Sequence, residues 1–201
     1  MRRQTKYNAQ CALNENLFGK NHPLAPFVFE GDVENVVAED LADFHNNYYY
    51  PQNCTLTLSG NVSDSDICLV NKTFGQWIKQ GEFKSPVPWH RSLSADKFGI
   101  VQIDNSVQSS ICIAIDSIPR SHPDYIKLRI ATTALGGYFG SRLMSNIRED
   151  KGYTYGIFAS LLGRSCESHI LISCDCDHQY ALPLINEVKK EIARMSNATL
   201  S

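Results

Sequence analysis

The sequence predicts an α+β fold in which helices pack on one face of a layered, mainly antiparallel or mixed sheet. Two patterns lead to this prediction. Short runs with the period of strands follow one another closely, and runs with the period of helices stand between and after them. The composition agrees with a globular core, because 43% of the 201 residues are hydrophobic and 20% are charged.

The first section of the chain, residues 1–85, contains a predicted strand that follows a predicted helix. Residues 38–49 place apolar side chains at helical spacing, and Pro51 forbids continuation of this helix. Residues 54–60 alternate between apolar and polar side chains. This alternation predicts a strand with one buried face, formed by Cys54, Leu56 and Leu58.

A second helix is predicted over residues 64–74. Ser63 and Asp66 have the spacing of a capping box at its start, and Gly75 stands where a helix usually ends. Residues 86–97 then hold two prolines and little periodicity, which favours a linker between two domains.

The second section, residues 98–201, is predicted to hold four strands and three helices. The strands cover residues 98–103, 110–118, 153–162 and 169–174, the last two as a hairpin around Gly163-Arg164-Ser165. The helices cover residues 124–135, 141–149 and 178–195. We expect the core to include Ile126, Ile130 and Ala134 on the first of these helices and Leu184, Val188 and Ile192 on the last. On the strand at residues 110–118 we expect either Ile111, Ile113 and Ile115 or the residues that alternate with them to be buried.

Charge and hydropathy exclude two classes of partner. A net charge of −2 and a pI near 6.3 leave no basic surplus for a phosphate backbone, so we expect no nucleic acid as partner. No apolar run approaches the ~18 residues of a membrane span. Residues 1–11 are basic but lack the apolar stretch of a signal peptide.

The seven cysteines predict a reduced protein. Cys54, Cys112 and Cys174 lie in apolar runs, where a free cysteine behaves as a small hydrophobic residue. Unpaired thiols favour the cytoplasm. A periplasmic location stays open, because a targeting segment would precede residue 1 of a longer chain.

The sequence gives no sign of a metal site. None of the six histidines stands in an HxxEH or HxxH pair, and no CxxC pair exists. We therefore expect neither a bound metal nor a cofactor in this chain, and no catalytic residue in this chain alone.

One stretch, SRLMSNIREDKGYTYG, combines a cation with tyrosines at the start of a strand. Arg148 ends a predicted helix and Tyr155 follows seven residues later, across a Lys-Gly turn. A guanidinium and a phenol in one space could hold a peptide carbonyl, or the oxyanion formed from it. Tyr153, two residues earlier on the same expected strand face, is the alternative tyrosine. The structural alternative is an arginine paired with a carboxylate beside a half-buried tyrosine.

This stretch resembles a motif in the second domain of the pitrilysin/insulinase family of zinc peptidases, which includes the mitochondrial processing peptidases. LFGKNHPLAPFVFEG, AEDLADFHNNYYYPQNCTLTLSGNV and FGQW are similar to the later part of the family's first domain. DSIPRSHPDYIKLRIATTALGGYFGSRL is similar to the start of its second domain. The ordered series of segments runs through nearly the whole chain.

The resemblance implies a metallopeptidase-like fold, of the kind found in LuxS and the processing peptidases. It also implies two domains with different functions. In the family the first domain binds zinc through HxxEH and a later glutamate, and the second has lost the metal site. The second domain contributes an arginine and a tyrosine to substrate binding, which here fall on Arg148 and Tyr155. HxxEH is absent from this chain. We therefore expect a piece of a longer protein: the end of the first domain in residues 1–85 and an incomplete second domain in residues 98–201.

The function implied is that of a non-catalytic peptidase domain that binds extended peptide and completes the active site of a two-domain clamshell. Its expected partners are a peptide or protein substrate and the missing catalytic half, which would carry the zinc. The alternative is a non-catalytic homologue that acts as a scaffold or as one subunit of a heterodimer.

Overall fold

The computed structural model describes residues 5–20, 22–25, 30–78, 97–163 and 167–197. The chain divides into two compact units. One unit comprises residues 1–26 and 90–201, and the other comprises residues 27–89.

The larger unit contains a three-stranded antiparallel sheet. Its strands are β1 (Ser109–Ser117), β2 (Thr154–Gly163) and β3 (Ser168–Cys176), in the order β1-β3-β2. The predicted hairpin is present, since Gly163 pairs with Ser168 and the two strands run antiparallel. Arg164 and Ser165, predicted for its turn, lie outside the described residues.

Six α-helices are found in the part of the chain that the structure describes. They are α1 (Thr5–Phe18), α2 (Glu30–Glu34), α3 (Ala38–Tyr48), α4 (Asp64–Thr73), α5 (Tyr125–Gly136) and α6 (Ala181–Asn197). A π-helix covers Met144–Asp150, and short 3₁₀ turns cover Pro51–Asn53 and His178–Tyr180. Within these residues, no helix is long and apolar enough to cross a membrane.

The hydrophobic core lies on one face of the sheet. Ile157, Ile172 and Leu184 are at most 1% exposed, and they belong to one cluster with Ile147 and Val188. The cluster joins the sheet to α5, the π-helix and α6. Ile111, Ile113, Ile115 and Ile192 pack against it as partly buried side chains, in agreement with the predicted core.

The opposite face of the sheet is covered by α1, which the sequence analysis did not foresee. The hydroxyl of Ser110 on β1 lies 2.7 Å from that of Thr5, and the ring of Phe18 lies 5.9 Å from that of His169 on β3. In α1 the apolar and polar residues do not separate onto two faces, so periodicity could not reveal it. The structure therefore has helices on both faces of the sheet, and α1 lies with the second section rather than with the rest of residues 1–85.

The smaller unit keeps its predicted helices and lacks its predicted strand. α4 has the expected capping box, in which the backbone N–H of Ser63 donates to Asp66 at 2.9 Å. The prediction of a buried strand at residues 54–60 is wrong. Leu56 and Leu58 are 53% and 46% exposed, and Cys54 is exposed. A strand needs a neighbouring strand for its ladder hydrogen bonds, and the described part of this unit holds only helical elements and loops.

Two further expectations are wrong in the larger unit. Residues 98–103 form no strand, and Ile100 is 93% exposed. On α5, Ile126 and Ile130 are exposed, whereas Tyr125, Thr132 and Leu135 are buried. This helix is apolar on more than one side, so its pattern alone could not select the face that packs. The side of the helix that carries Gly136 faces the sheet. A Cβ at this position would lie only 2.7 Å from the Cβ of Ala159 on β2, so the close packing requires glycine.

Candidate functional site

The π-helix places Arg148 at the rim of the core. Met144 and Ile147 of this helix are buried, and the adjacent Arg148 side chain is 31% exposed. The guanidinium carbon of Arg148 lies 4.4 Å from the centre of the Phe139 ring, in cation–π contact. Its Nη1 atom is 3.1 Å from a carboxylate oxygen of Glu149. The arginine therefore lies against an aromatic face and a carboxylate, and its buried Nη1 atom makes no hydrogen bond within the described residues. Its guanidinium thus keeps N–H donors for a ligand.

A glycine turn links this helix to β2. Gly152 has φ of 65°, the left-handed conformation in which helices often end. The N–H groups of Gly152 and Tyr153 donate back to the carbonyls of Arg148 and Ile147, at 3.1 and 3.0 Å. These bonds close the helix and turn the chain directly into the strand.

A β-bulge at the start of β2 sets the position of Tyr155. Thr154 pairs with Cys176 and Ile157 with Cys174, so Tyr155 and Gly156 together oppose one residue of β3. Thr154 and Ile157 are buried on either side of the bulge, and Tyr155 is 92% exposed. Its phenol is thus presented to the surroundings rather than packed.

A sulfur contact ties the bulge to the π-helix. The backbone N–H of Ile157 donates to the thioether of Met144 at 3.4 Å. Both atoms belong to buried residues. Met144 therefore fixes the helix that carries Arg148 against the strand segment that carries Tyr155. Periodicity could not reveal this contact, because methionine on a buried helix face usually indicates packing alone.

Tyr153 has a different environment from Tyr155. Its ring stacks on that of Tyr180 at 4.9 Å and 16°, and it packs against the hydrophobic core. The expectation that both tyrosines lie on one strand face is wrong, because β2 begins at Thr154 and the bulge interrupts the alternation. Of the two phenols, that of Tyr155 is the more accessible.

The described residues offer no metal site. They contain no group of three or more histidine, cysteine, aspartate or glutamate side chains that could hold a metal ion. The candidate site itself offers hydrogen-bond donors, the guanidinium of Arg148 and the phenol of Tyr155, and the ring of Phe139 is exposed. Such donors can bind carbonyl oxygens and stabilise negative charge that develops on them.

The fold and the site define a class of protein: an α+β domain whose described residues form no group of metal ligands. A model described as "Peptidase M16 inactive domain" matches residues 35–201, and the chain belongs to this family. The same fold occurs in the crystal structure of the peptidase M16 inactive domain from Pseudomonas fluorescens, with a TM-score of 0.77 and 23% identity. That comparison covers 96% of this chain and 47% of the other.

Two curated relatives show how this chain compares with longer proteins. It is 30% identical over 152 residues to the uncharacterized zinc protease ML0855 of Mycobacterium leprae, covering 72% of this chain and 33% of the relative. It is 25% identical over 126 residues to the mitochondrial cytochrome b-c1 complex subunit 1 of Saccharomyces cerevisiae, covering 58% and 27%. The chain thus spans about a third of the length of the curated zinc protease relatives that it matches.

Proposed function

We propose that this chain is the non-catalytic part of a zinc metallopeptidase and that it holds extended peptide and completes the active site of the catalytic half. The observation that carries the proposal is the exposed phenol of Tyr155, set on a bulge that Met144 ties to the helix of Arg148. The relatives named as zinc proteases supply the enzyme class. Zinc would belong to the catalytic half, since no described residues of this chain form a ligand group for it.

The arrangement of β2 supports binding of peptide in an extended form. Among the described strands β2 stands at one edge of the sheet, and Tyr155 lies in it. An extended peptide that adds to a sheet edge gains main-chain hydrogen bonds along the strand. At the edge of β2 such a peptide would pass the phenol of Tyr155. Arg148 would then hold a peptide carbonyl before the chemistry begins.

Substitutions in the full-length parent protein test the site. Tyr155→Phe removes one donor from the oxyanion of the transition state, and we expect kcat to fall by about 10²–10³. Arg148→Ala should raise KM and lower kcat, because its contact to the substrate is present in the ground state as well. Zinc content should stay unchanged in both variants.

Tyr153→Phe is the matched control, and it should leave turnover near that of the unsubstituted enzyme. If Tyr153→Phe is the damaging change, the tyrosine is wrongly assigned. If Arg148→Ala and Tyr155→Phe lower only the melting temperature, the pair is structural.

A second candidate function is a non-catalytic scaffold or heterodimer subunit. The similarity to a subunit of the cytochrome b-c1 complex favours it. The parent gene separates the candidates. An HxxEH motif encoded before residue 1 supports a two-domain peptidase, HxxEH in a neighbouring gene supports a heterodimer, and its absence from both supports a scaffold.

A further inference from the structure

A surface depression of about 570 Å³ is lined by residues that include neither Arg148 nor Tyr155. Its lining residues are Arg142, Lys190, Ala193, Arg194 and Asn197. Three of these five side chains are cations, and the side chains of Arg142, Lys190 and Arg194 are 38%, 60% and 61% exposed. The positive groups therefore remain open to the solvent at one place.

A buried carboxylate organises two of the three cations. Glu191 is 3% exposed and accepts hydrogen bonds from Nε of Arg142 at 3.0 Å and from Nη1 of Arg194 at 2.6 Å. Nη2 of Arg142 lies 3.0 Å from the same carboxylate as an ion pair. The side-chain amide of Asn146 donates to the same carboxylate at 2.8 Å. The buried carboxylate of Glu191 thus fixes the positions of both guanidinium groups and is itself shielded from a ligand in the depression.

The two arginines keep unused donors. A guanidinium has five N–H groups, and the hydrogen bonds to Glu191 come from Nε of Arg142 and Nη1 of Arg194. Lys190 forms an ion pair with Glu187 at 2.7 Å, which also lies 3.9 Å from Lys151. Three cations line the depression, and they pair with two carboxylates, those of Glu187 and Glu191. The balance of charge around the depression is therefore +1.

We propose that this depression is a binding site for a multivalent oxyanion, either a phosphate or the paired carboxylates of an acidic peptide. Guanidinium forks match the geometry of both groups. The site is pre-organised, because Glu191 has already fixed the two arginines that the anion meets. This inference is independent of the function proposed for Arg148 and Tyr155.

The test is a titration of the ¹⁵N-labelled chain at low ionic strength, with inorganic phosphate in one arm and a hexaglutamate peptide in the other. We expect saturable shifts in the backbone resonances of the five lining residues. Lys190→Gln and Arg194→Gln should each weaken binding about three- to tenfold, and Ala193→Asp should abolish it by placing a carboxylate in the depression. Added NaCl should weaken binding in both arms.

Lys189→Gln is the matched control, because Lys189 is the exposed neighbour of Lys190 on α6 and does not line the depression. It should leave the affinity unchanged. Saturable binding of phosphate alone identifies a small-anion site, and tighter binding of the peptide identifies an acidic polypeptide as the occupant. Non-saturable shifts in both arms, or equal losses in Lys189→Gln and Lys190→Gln, would overturn the proposal. Circular dichroism of each variant checks that the fold is intact.

Discussion

Burial decides the chemistry of Cys174. This residue of β3 is 8% exposed, and burial raises the pKa of its thiol from 9.0 to about 12, with smaller contributions from Cys176 and Asp175. The thiolate is the reactive form of cysteine, so Cys174 should be inert at neutral pH. The pKa values of Cys112 and Cys176 are also raised, mainly by burial.

The raised pKa of Cys174 makes stability depend on alkaline pH. Above pH 9 the unfolded chain releases a proton that the folded chain retains, so stability is fully present below pH 9 and is lost as the pH rises toward 12. We expect the free energy of unfolding to fall by about 1–2 kcal/mol between pH 8 and pH 10. Urea denaturation under reducing conditions at the two pH values measures this difference.

Cys174→Ala should reduce this pH dependence without removing it, because Cys112 and Cys176 contribute in the same direction. Cys54→Ala is the control, since Cys54 is exposed. An unchanged pH dependence in Cys174→Ala would show that another group is responsible.

Glu191 provides a second prediction for a single residue. Its carboxylate is buried and accepts from Arg142, Arg194 and Asn146. Glu191→Gln removes the charge on which two guanidinium groups depend, and we expect a loss of about 1–3 kcal/mol in unfolding free energy. Glu149→Gln is the comparison, because that side chain is 51% exposed, and its change should stay within about 0.5 kcal/mol. Equal losses in thermal or chemical denaturation would contradict the structural role of Glu191.

Among the elements, β3 has the central place. It pairs with both other strands, and Ile172 on it is 1% exposed within the core cluster. By contrast, the segment at residues 54–60 has the sequence pattern of a strand and lies exposed. The alternating pattern identifies residues that can form a strand. Their side chains become buried only when another strand pairs with them and a layer packs on the sheet.

Truncation of one residue in each segment tests this contrast. Ile172→Ala should cost about 2–5 kcal/mol, because it leaves a cavity in a packed core. Leu56→Ala should cost less than about 1 kcal/mol, since the side chain is already 53% exposed. Chemical denaturation of both variants in the 201-residue chain gives the two values. A cost above about 2 kcal/mol for Leu56→Ala would mean that this side chain is buried in solution.

For the whole molecule, the lack of a metal-ligand group among the described residues leads to a prediction on zinc. The described residues offer no group of three ligands, so the chain should carry no stoichiometric zinc after dialysis. Elemental analysis of the purified chain measures this. The same measurement on alkylated protein separates weak uptake by exposed thiols such as those of Cys54 and Cys68. One tightly held zinc per alkylated chain would contradict the prediction.

The sequence by itself determined the larger part of the second section. The strands at residues 110–118, 153–162 and 169–174 correspond to β1, β2 and β3, and the helix at 178–195 corresponds to a 3₁₀ turn followed by α6. These elements have strong periodicity, and their own residues supply the apolar face that packs. The capping box of Ser63 and Asp66 was readable for the same reason, because the contacts that form it are local.

Features that depend on contacts with distant parts of the chain were decided only by the tertiary structure. The position of α1 follows from contacts with Ser110 and His169, more than 90 residues away in the sequence. The packing face of α5 follows from the close approach of Gly136 to Ala159. At the candidate site, the motif indicated Arg148 and Tyr155. The bulge in β2 then gives Tyr155 an exposed position, which differs from the packed position of Tyr153. A bulge depends on pairing with another strand, and local periodicity carries no information on that pairing.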